Sequence, residues 1–210
     1  MLFYLEDLMF LKEHFLLPQE IVNHIFKFTY NPFDLLHYYD NKLLKQYLEM
    51  GINPNVSNVT RSKRYTALTI ASDYNRIKLL LEYGANPNIC EYTIIDKTVR
   101  GIFYPLNTNL RSECITELLL KHGANPNNKD IYGYTALHFY NRLSIKQIEL
   151  LLEKGGNPNS ISNFGVTPLD LLHSDKESNY LDKEKVKVLI KAGGKLHNPE
   201  YKQECIKVLN

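Results

Sequence analysis

One five-residue phrase recurs along this 210-residue chain: Gly51-Ile52-Asn53-Pro54-Asn55, Gly84-Ala85-Asn86-Pro87-Asn88, Gly123-Ala124-Asn125-Pro126-Asn127 and Gly155-Gly156-Asn157-Pro158-Asn159, with a worn copy at Gly193-Gly194. Successive glycines lie 33, 39, 32 and 38 residues apart. A period of this length belongs to architectures that stack one small unit on the next, because a single unit cannot bury its apolar face alone. Each copy follows an apolar run: Leu79-Leu80-Leu81, Leu118-Leu119-Leu120, Leu150-Leu151-Leu152 or Val186–Ile190. These runs read as helices with one apolar face. The glycine then falls just past the helix end, where left-handed backbone is needed. Asn-Pro-Asn makes the turn that follows, since Pro fixes φ and Asn side chains bond nearby backbone.

A second phrase opens the preceding helix: Thr66-Ala67-Leu68, Thr135-Ala136-Leu137-His138 and Thr167-Pro168-Leu169-Asp170. Thr is a good N-cap, and Pro at the first helical position loses no needed hydrogen bond. Tyr104-Pro105-Leu106 and Asn31-Pro32-Phe33 look like degraded copies, while Gly133 and Gly165 mark tight turns before two of the openings. Together the phrases resemble the T-P-L-H…L-L-L-x-x-G-A-x-x-N pattern of ankyrin repeats, over roughly residues 31–198. The resemblance implies an all-α ankyrin-repeat solenoid of about five units with short finger turns, the first and last degenerate. Residues 199–210, with Tyr201, Cys205, Ile206 and Leu209 at helical spacing, are expected to form a C-terminal capping helix. Two insertions interrupt the stack: 89–103 lengthens a finger loop, and 173–183 lengthens the link between two helices of the last full unit. Each reads either as a functional projection or as a tolerated excursion.

The net charge of +2 gives no field that would drive the chain onto nucleic acid or anionic lipid. Cys90, Cys114 and Cys205 stand far apart with no CxxC pair, so neither a disulfide framework, a zinc site nor another cofactor is indicated, and a reducing compartment fits. No apolar stretch is long enough to span a bilayer. The N-terminus turns acidic at Glu6 and Asp7, unlike a secretory signal. The expected location is cytoplasmic, including a host cytoplasm after viral expression or bacterial secretion. A monomer is expected. Richness in Asn, Lys, Ile and Tyr is what AT-rich coding produces.

Residues 1–30 do not repeat. Leu8, Leu11 and Phe15 suggest an amphipathic helix, and Pro18 followed by Glu20 marks a helix start. Leu17-Pro18-Gln19-Glu20-Ile21-Val22-Asn23-His24-Ile25-Phe26 resembles the first helix of an F-box, L-P-x-E-I/L-x-x-x-I-F, and the likeness can be carried as far as residue 50 through Asp34-Leu35-Leu36. The chain is in this respect similar to host-directed viral or intracellular-bacterial ankyrin/F-box proteins. The resemblance implies that Leu17, Pro18, Ile21, Ile25 and Phe26 contact the Skp-type linker of a cullin–RING ubiquitin ligase. The later V-C-x-x-W-type residues of an F-box are absent, and the alternative is that residues 1–30 simply cap the first repeat.

Cys114 and His138 could be imagined as a thiol–imidazole pair, but Cys114 falls in an apolar pattern and His138 belongs to the helix opening. No catalytic motif occurs, so no enzyme is expected. Ankyrin proteins bind protein partners through finger turns and inner helices, which form a concave face. Mapped onto this sequence, that surface includes Tyr74, Phe139, Tyr140 and Asn141 of the inner helices and Tyr132 and Phe164 at equivalent finger tips. One of Phe139 and Tyr140 is expected to pack between units instead.

Overall fold

The computed structural model describes residues 41–60, 62–95, 98–174 and 180–197. The segments 1–30 and 199–210, with Leu17, Pro18, Ile21, Ile25 and Phe26, lie outside the described residues.

The described chain runs α1 (Asn41–Glu49), β1 (Ser57–Val59), β2 (Lys63–Thr66), α2 (Ala67–Ile70), α3 (Tyr74–Glu82), β3 (Glu91–Ile95), β4 (Thr98–Phe103), α4 (Pro105–Thr108) and α5 (Glu113–Lys121). A 3-10 helix (Ala136–Arg142), α6 (Ile145–Glu153), α7 (Pro168–Ser174) and α8 (Tyr180–Lys191) complete it. The order finger, short inner helix, longer outer helix, turn therefore repeats. The four finger-bearing units begin at β1, β3, Asn128 and Ser160, and α1 is the outer helix of the unit before them.

Each element follows from local chemistry. Thr66 caps α2 by accepting from the Thr69 N–H, while the Thr69 hydroxyl accepts from the Thr66 N–H at 2.9 Å. Thr167 and Asp170 form the same reciprocal pair at α7. Asp73, Ser112 and Ser144 cap the outer helices α3, α5 and α6. At the other end of α3, Gly84 takes φ +85°, its N–H donates to Leu81 O and the Ala85 N–H to Leu80 O. That pair of bonds satisfies carbonyls the helix leaves open, and only glycine adopts it without strain. The same bonds recur after α1, α5, α6 and α8.

The leucines of the opening phrase, Leu68, Leu106, Leu137 and Leu169, are buried in the inner layer. Leu44, Leu80, Leu119, Leu151 and Leu189 are buried in the outer helices. Outer helices pack on outer helices from unit to unit, and among the inner ones α2 packs on α4 and the 3-10 helix on α7, within one continuous core.

A hydrogen-bond ladder joins the turns. In each phrase the first Asn makes a local turn, as where Asn53 Oδ1 accepts from the Asn55 N–H at 2.9 Å. The second Asn reaches the next unit. Asn55 Nδ2 donates to Gly84 O at 3.0 Å and Asn55 Oδ1 accepts from the Asn86 N–H at 2.7 Å. Asn88, Asn127 and Asn159 repeat both bonds. At the worn copy the acceptor is met by the Lys195 backbone, and His197 replaces the onward Asn.

The all-α expectation is overturned. Strands β1 to β4 form a four-stranded antiparallel sheet in sequence order, so the architecture is mixed α and β. The first two fingers supply it. The insertion 89–103 is a β-hairpin, with Glu91 opposite Phe103 and Thr93 opposite Gly101, and β2 pairs with β3. The physical reason lies in its residues: Tyr92, Thr93, Ile94, Ile95, Val99, Ile102 and Phe103 are aromatic or β-branched types that fit a pleated, half-buried surface. A finger lengthened by such residues extends the neighbouring finger's ladder.

Candidate functional site

The shorter fingers are tight polar turns. In residues 128–134, Asp130 Oδ1 accepts from the N–H groups of Tyr132 and Tyr134, each at 2.9 Å. In residues 160–166 the Ser162 hydroxyl accepts from the Phe164 N–H at 3.2 Å. The two fingers are clasped: the Asn163 N–H donates to Tyr132 O at 2.9 Å, and Asn163 Nδ2 donates to Ile131 O at 3.0 Å. Gly133, at φ +78°, sits directly against Asn163, where a Cβ would come within 2.7 Å of Oδ1.

This clasp sets the finger-tip aromatics side by side. Tyr132 and Phe164 are 52% and 64% exposed, and their rings stack at 6.1 Å with an interplanar angle of 26°. Tyr134 continues the row, 5.9 Å from Phe164 and 6.0 Å edge-on from Phe139. The Arg142 guanidinium lies over the Phe139 ring at 5.3 Å. A stripe of aromatic rings therefore runs from the tips of two fingers to the inner 3-10 helix and ends in a cation. Such a surface offers large, rigid contact area at low entropy cost.

Other sequence-derived positions distribute differently. Phe139 is half-buried and Tyr140 is 7% exposed, so Tyr140 is the one that packs between units, with its carbonyl accepting from Lys185 Nζ at 3.2 Å. Tyr74 is exposed but opens the outer helix α3 behind its cap Asp73, away from the inner helices. The side chain of Asn141 is not among those described. Sequence reasoning missed Tyr134 and Arg142. Tyr134 had a signal: it directly precedes the Thr135 opening, as Tyr65 precedes Thr66.

His138 is structural. Its Nδ1 accepts from the Thr135 N–H at 3.0 Å, which leaves Nε2 to carry the proton and donate to Val166 O at 3.2 Å. Burial holds its pKa below the ordinary histidine value, with hydrogen bonds to Val166, Ser160 and Thr135 opposing the shift. Cys114 is exposed on α5 rather than packed in the apolar layer. Among the described residues no group of His, Cys, Asp and Glu side chains could hold a metal ion. No described helix is long and apolar enough to cross a membrane.

Finger, inner helix, outer helix and left-handed glycine turn, repeated and tied by an asparagine ladder, make a stack of repeated units. The family model of the ankyrin repeat matches residues 63–92, the stretch from β2 through α3 into β3, and the units on either side repeat its fold. The chain is 40% identical over 75 residues to an ankyrin repeat protein of Acanthamoeba polyphaga mimivirus, a match covering 34% of this chain and 9% of that protein. It is 30% identical over 118 residues to an ankyrin repeat protein of Fowlpox virus (strain NVSL), covering 53% of this chain and 26% of that protein. The chain thus spans only a minor part of each relative's length.

Proposed function

We propose that the chain is a protein-binding adaptor that grips its partner on the aromatic stripe of the last two fingers. The observation that carries this reading is the stacked, exposed pair Tyr132 and Phe164, backed by Tyr134, Phe139 and Arg142. Aromatic and Arg side chains dominate protein interfaces because they bury much area per rotamer lost. An exposed contiguous patch of them is otherwise a liability on a soluble surface. Nothing in the stripe supplies a nucleophile, base and orienting group together, so the reading is binding without catalysis.

The second part of the proposal concerns what binding achieves. Leu17, Pro18, Ile21, Ile25 and Phe26 carry the F-box-like pattern in the sequence. On that resemblance the N-terminal segment docks on a Skp-type linker, and the repeats deliver the captured protein to a cullin–RING ligase. The test is a pull-down of purified full chain with linker and cullin, wild type beside Leu17→Ala/Pro18→Ala. Binding by wild type and loss in a double variant that still melts cooperatively supports the ligase adaptor. No binding by wild type at micromolar concentrations leaves a stand-alone ankyrin binder whose first residues act as a cap.

A further inference from the structure

Neighbouring units can be joined at three levels: fingers, inner helices and outer helices. Between the units that begin at β1 and β3, the fingers pair through β2 and β3, and α2 packs on α4. Between the units that begin at Asn128 and Ser160, Asn163 clasps the fingers and the 3-10 helix packs on α7. The joint between these two pairs is built differently. Its outer side is closed: α5 packs on α6, and Gln147 Nε2 donates to Leu110 O and to Thr116 Oγ1, both at 2.9 Å. Asn127 adds its rung, donating to Gly155 O at 2.8 Å and accepting from the Asn157 N–H at 2.7 Å. The finger bases are tied as well, by Asn128 Nδ2 donating to Asn88 Oδ1 at 3.1 Å. Past the bases the ties end. Among the described residues no backbone hydrogen bond runs from β4 to the finger 128–134. The inner layer is also looser, since α4 touches the 3-10 helix less than α2 touches α4 or the 3-10 helix touches α7.

Asn107 lies in the inner helix of this looser side. It holds in α4 the place that Thr69, His138 and Asp170 hold in the other openings, three residues after Tyr104, Thr66, Thr135 and Thr167 in turn. Each of those three side chains accepts from the N–H of its own opening residue. Two of them also reach across to later backbone, His138 to Val166 O and Asp170 to the His197 N–H. Asn107 does neither. It is 9% exposed, and its Oδ1 and Nδ2 are buried without a partner. A primary amide can donate two hydrogen bonds and accept two, and burying one that makes none is costly. Water relieves that cost as soon as the inner side parts. The closed form is therefore penalised on the side that nothing zips, while the outer side is held shut.

We infer that this joint is a hinge in the stack. The paired units on either side move as two bodies about the closed outer side. β4 parts from the finger 128–134, and hydration of the Asn107 amide favours the open form. Bending there changes the angle between the β1–β4 sheet and the aromatic stripe. It disturbs neither, because each lies wholly within one body. The hinge is independent of what the stripe binds, so each reading can fail without the other.

The test is measurement of amide residual dipolar couplings on the isotope-labelled full chain. Couplings from β1 to α5 and from Asn128 to α7 are fitted separately for molecular alignment. Two bodies on a hinge align to different degrees, whereas a rigid stack shows one alignment throughout. The expected result for wild type is two alignments of different magnitude. Asn107→Thr copies the Thr66–Thr69 pair and removes the unpartnered amide. Asn107→His copies His138, with one ring nitrogen for the Tyr104 N–H and the other for the Tyr134 carbonyl, and keeps the test open if threonine leaves a void. Both variants should lose the difference between the two alignments and shift the urea midpoint upward. A single alignment for the whole wild-type chain would mean a rigid joint and overturn the hinge. Retention of the wild-type difference and midpoint by both variants would overturn the role of Asn107.

Discussion

Asn88 Nδ2 donates to the carbonyl of Gly123, 35 residues away, at 2.9 Å. The same contact spans 29 residues at Asn55, 28 at Asn127 and 34 at Asn159, with lengths from 2.8 to 3.0 Å. Units of different length thus meet with one geometry; between Asn88 and Gly123 the extra residues form the β3–β4 hairpin. Asn127→Ala removes two inter-unit bonds and is expected to lower the unfolding free energy by about 1–3 kcal/mol. Asn127→Asp should cost as much, since it keeps the acceptor but turns an oxygen toward the Gly155 carbonyl. Urea unfolding of both variants checks this; a loss near zero for both would mean that the ladder records the fold without stabilising it.

Stability should fall on mild acidification through His138. Its folded pKa is depressed by burial, so below the ordinary value of 6.5 the unfolded chain takes up a proton that the folded chain resists. The contribution is complete above that value and shrinks as pH falls from it toward the folded pKa. His138→Thr copies the Thr66–Thr69 cap chemistry but cannot titrate or reach Val166. It should be about 1–3 kcal/mol less stable at pH 7.5 and lose less than wild type between pH 7.5 and 5.5. Parallel pH slopes in denaturant melts would count against this assignment.

Two finger glycines should respond differently to a methyl group. Gly133 has φ +78° and Gly165 φ +75°, so alanine is strained at both, by about 1–2 kcal/mol. Only at Gly133 would the new Cβ also meet a neighbouring finger, 2.8 Å from the Asn163 backbone nitrogen, whereas at Gly165 it meets open space. Thermal melts should therefore show Gly133→Ala well below Gly165→Ala, and Gly133→Ala alone should disturb the Tyr132–Phe164 stack. Equal melting temperatures would show that the clasp yields freely.

Tyr132→Ala and Phe164→Ala should leave stability within about 1 kcal/mol of wild type, since both rings are largely in solvent. If the stripe is the partner-binding surface, each should cost about 2 kcal/mol or more of affinity for a protein captured by the wild-type chain. Calorimetry against that partner separates the two effects. Unchanged affinity in both variants would move the binding surface elsewhere.

Much of the repeat is legible in the sequence because its signals are local. The glycine turns, the apolar runs and the Thr caps each depend on bonds within a few residues, and all occur where the phrases stand. Tyr104-Pro105-Leu106, a degraded opening, still starts α4 because Pro at the first helical position needs no cap hydroxyl. Cys114 is exposed despite its apolar neighbours, since an amphipathic helix has boundary positions that composition does not resolve. Sequence spacing does not separate Phe139 from Tyr140, because regular helical geometry fails between them. Phe139 has non-helical φ −91°, ψ 37°, which changes the direction of the side chains that follow.

From the sequence come the openings of the inner helices and the glycine ends of the outer ones, because capping and glycine conformation are short-range properties. Tertiary packing alone settles what the units do to one another. It brought the second asparagine of each phrase to a partner 28 to 35 residues away, turned an apparent loop insertion into two strands of a shared sheet, and set Tyr132 on Phe164. Those outcomes depend on the distance and register between successive units, which arise only when the units stack.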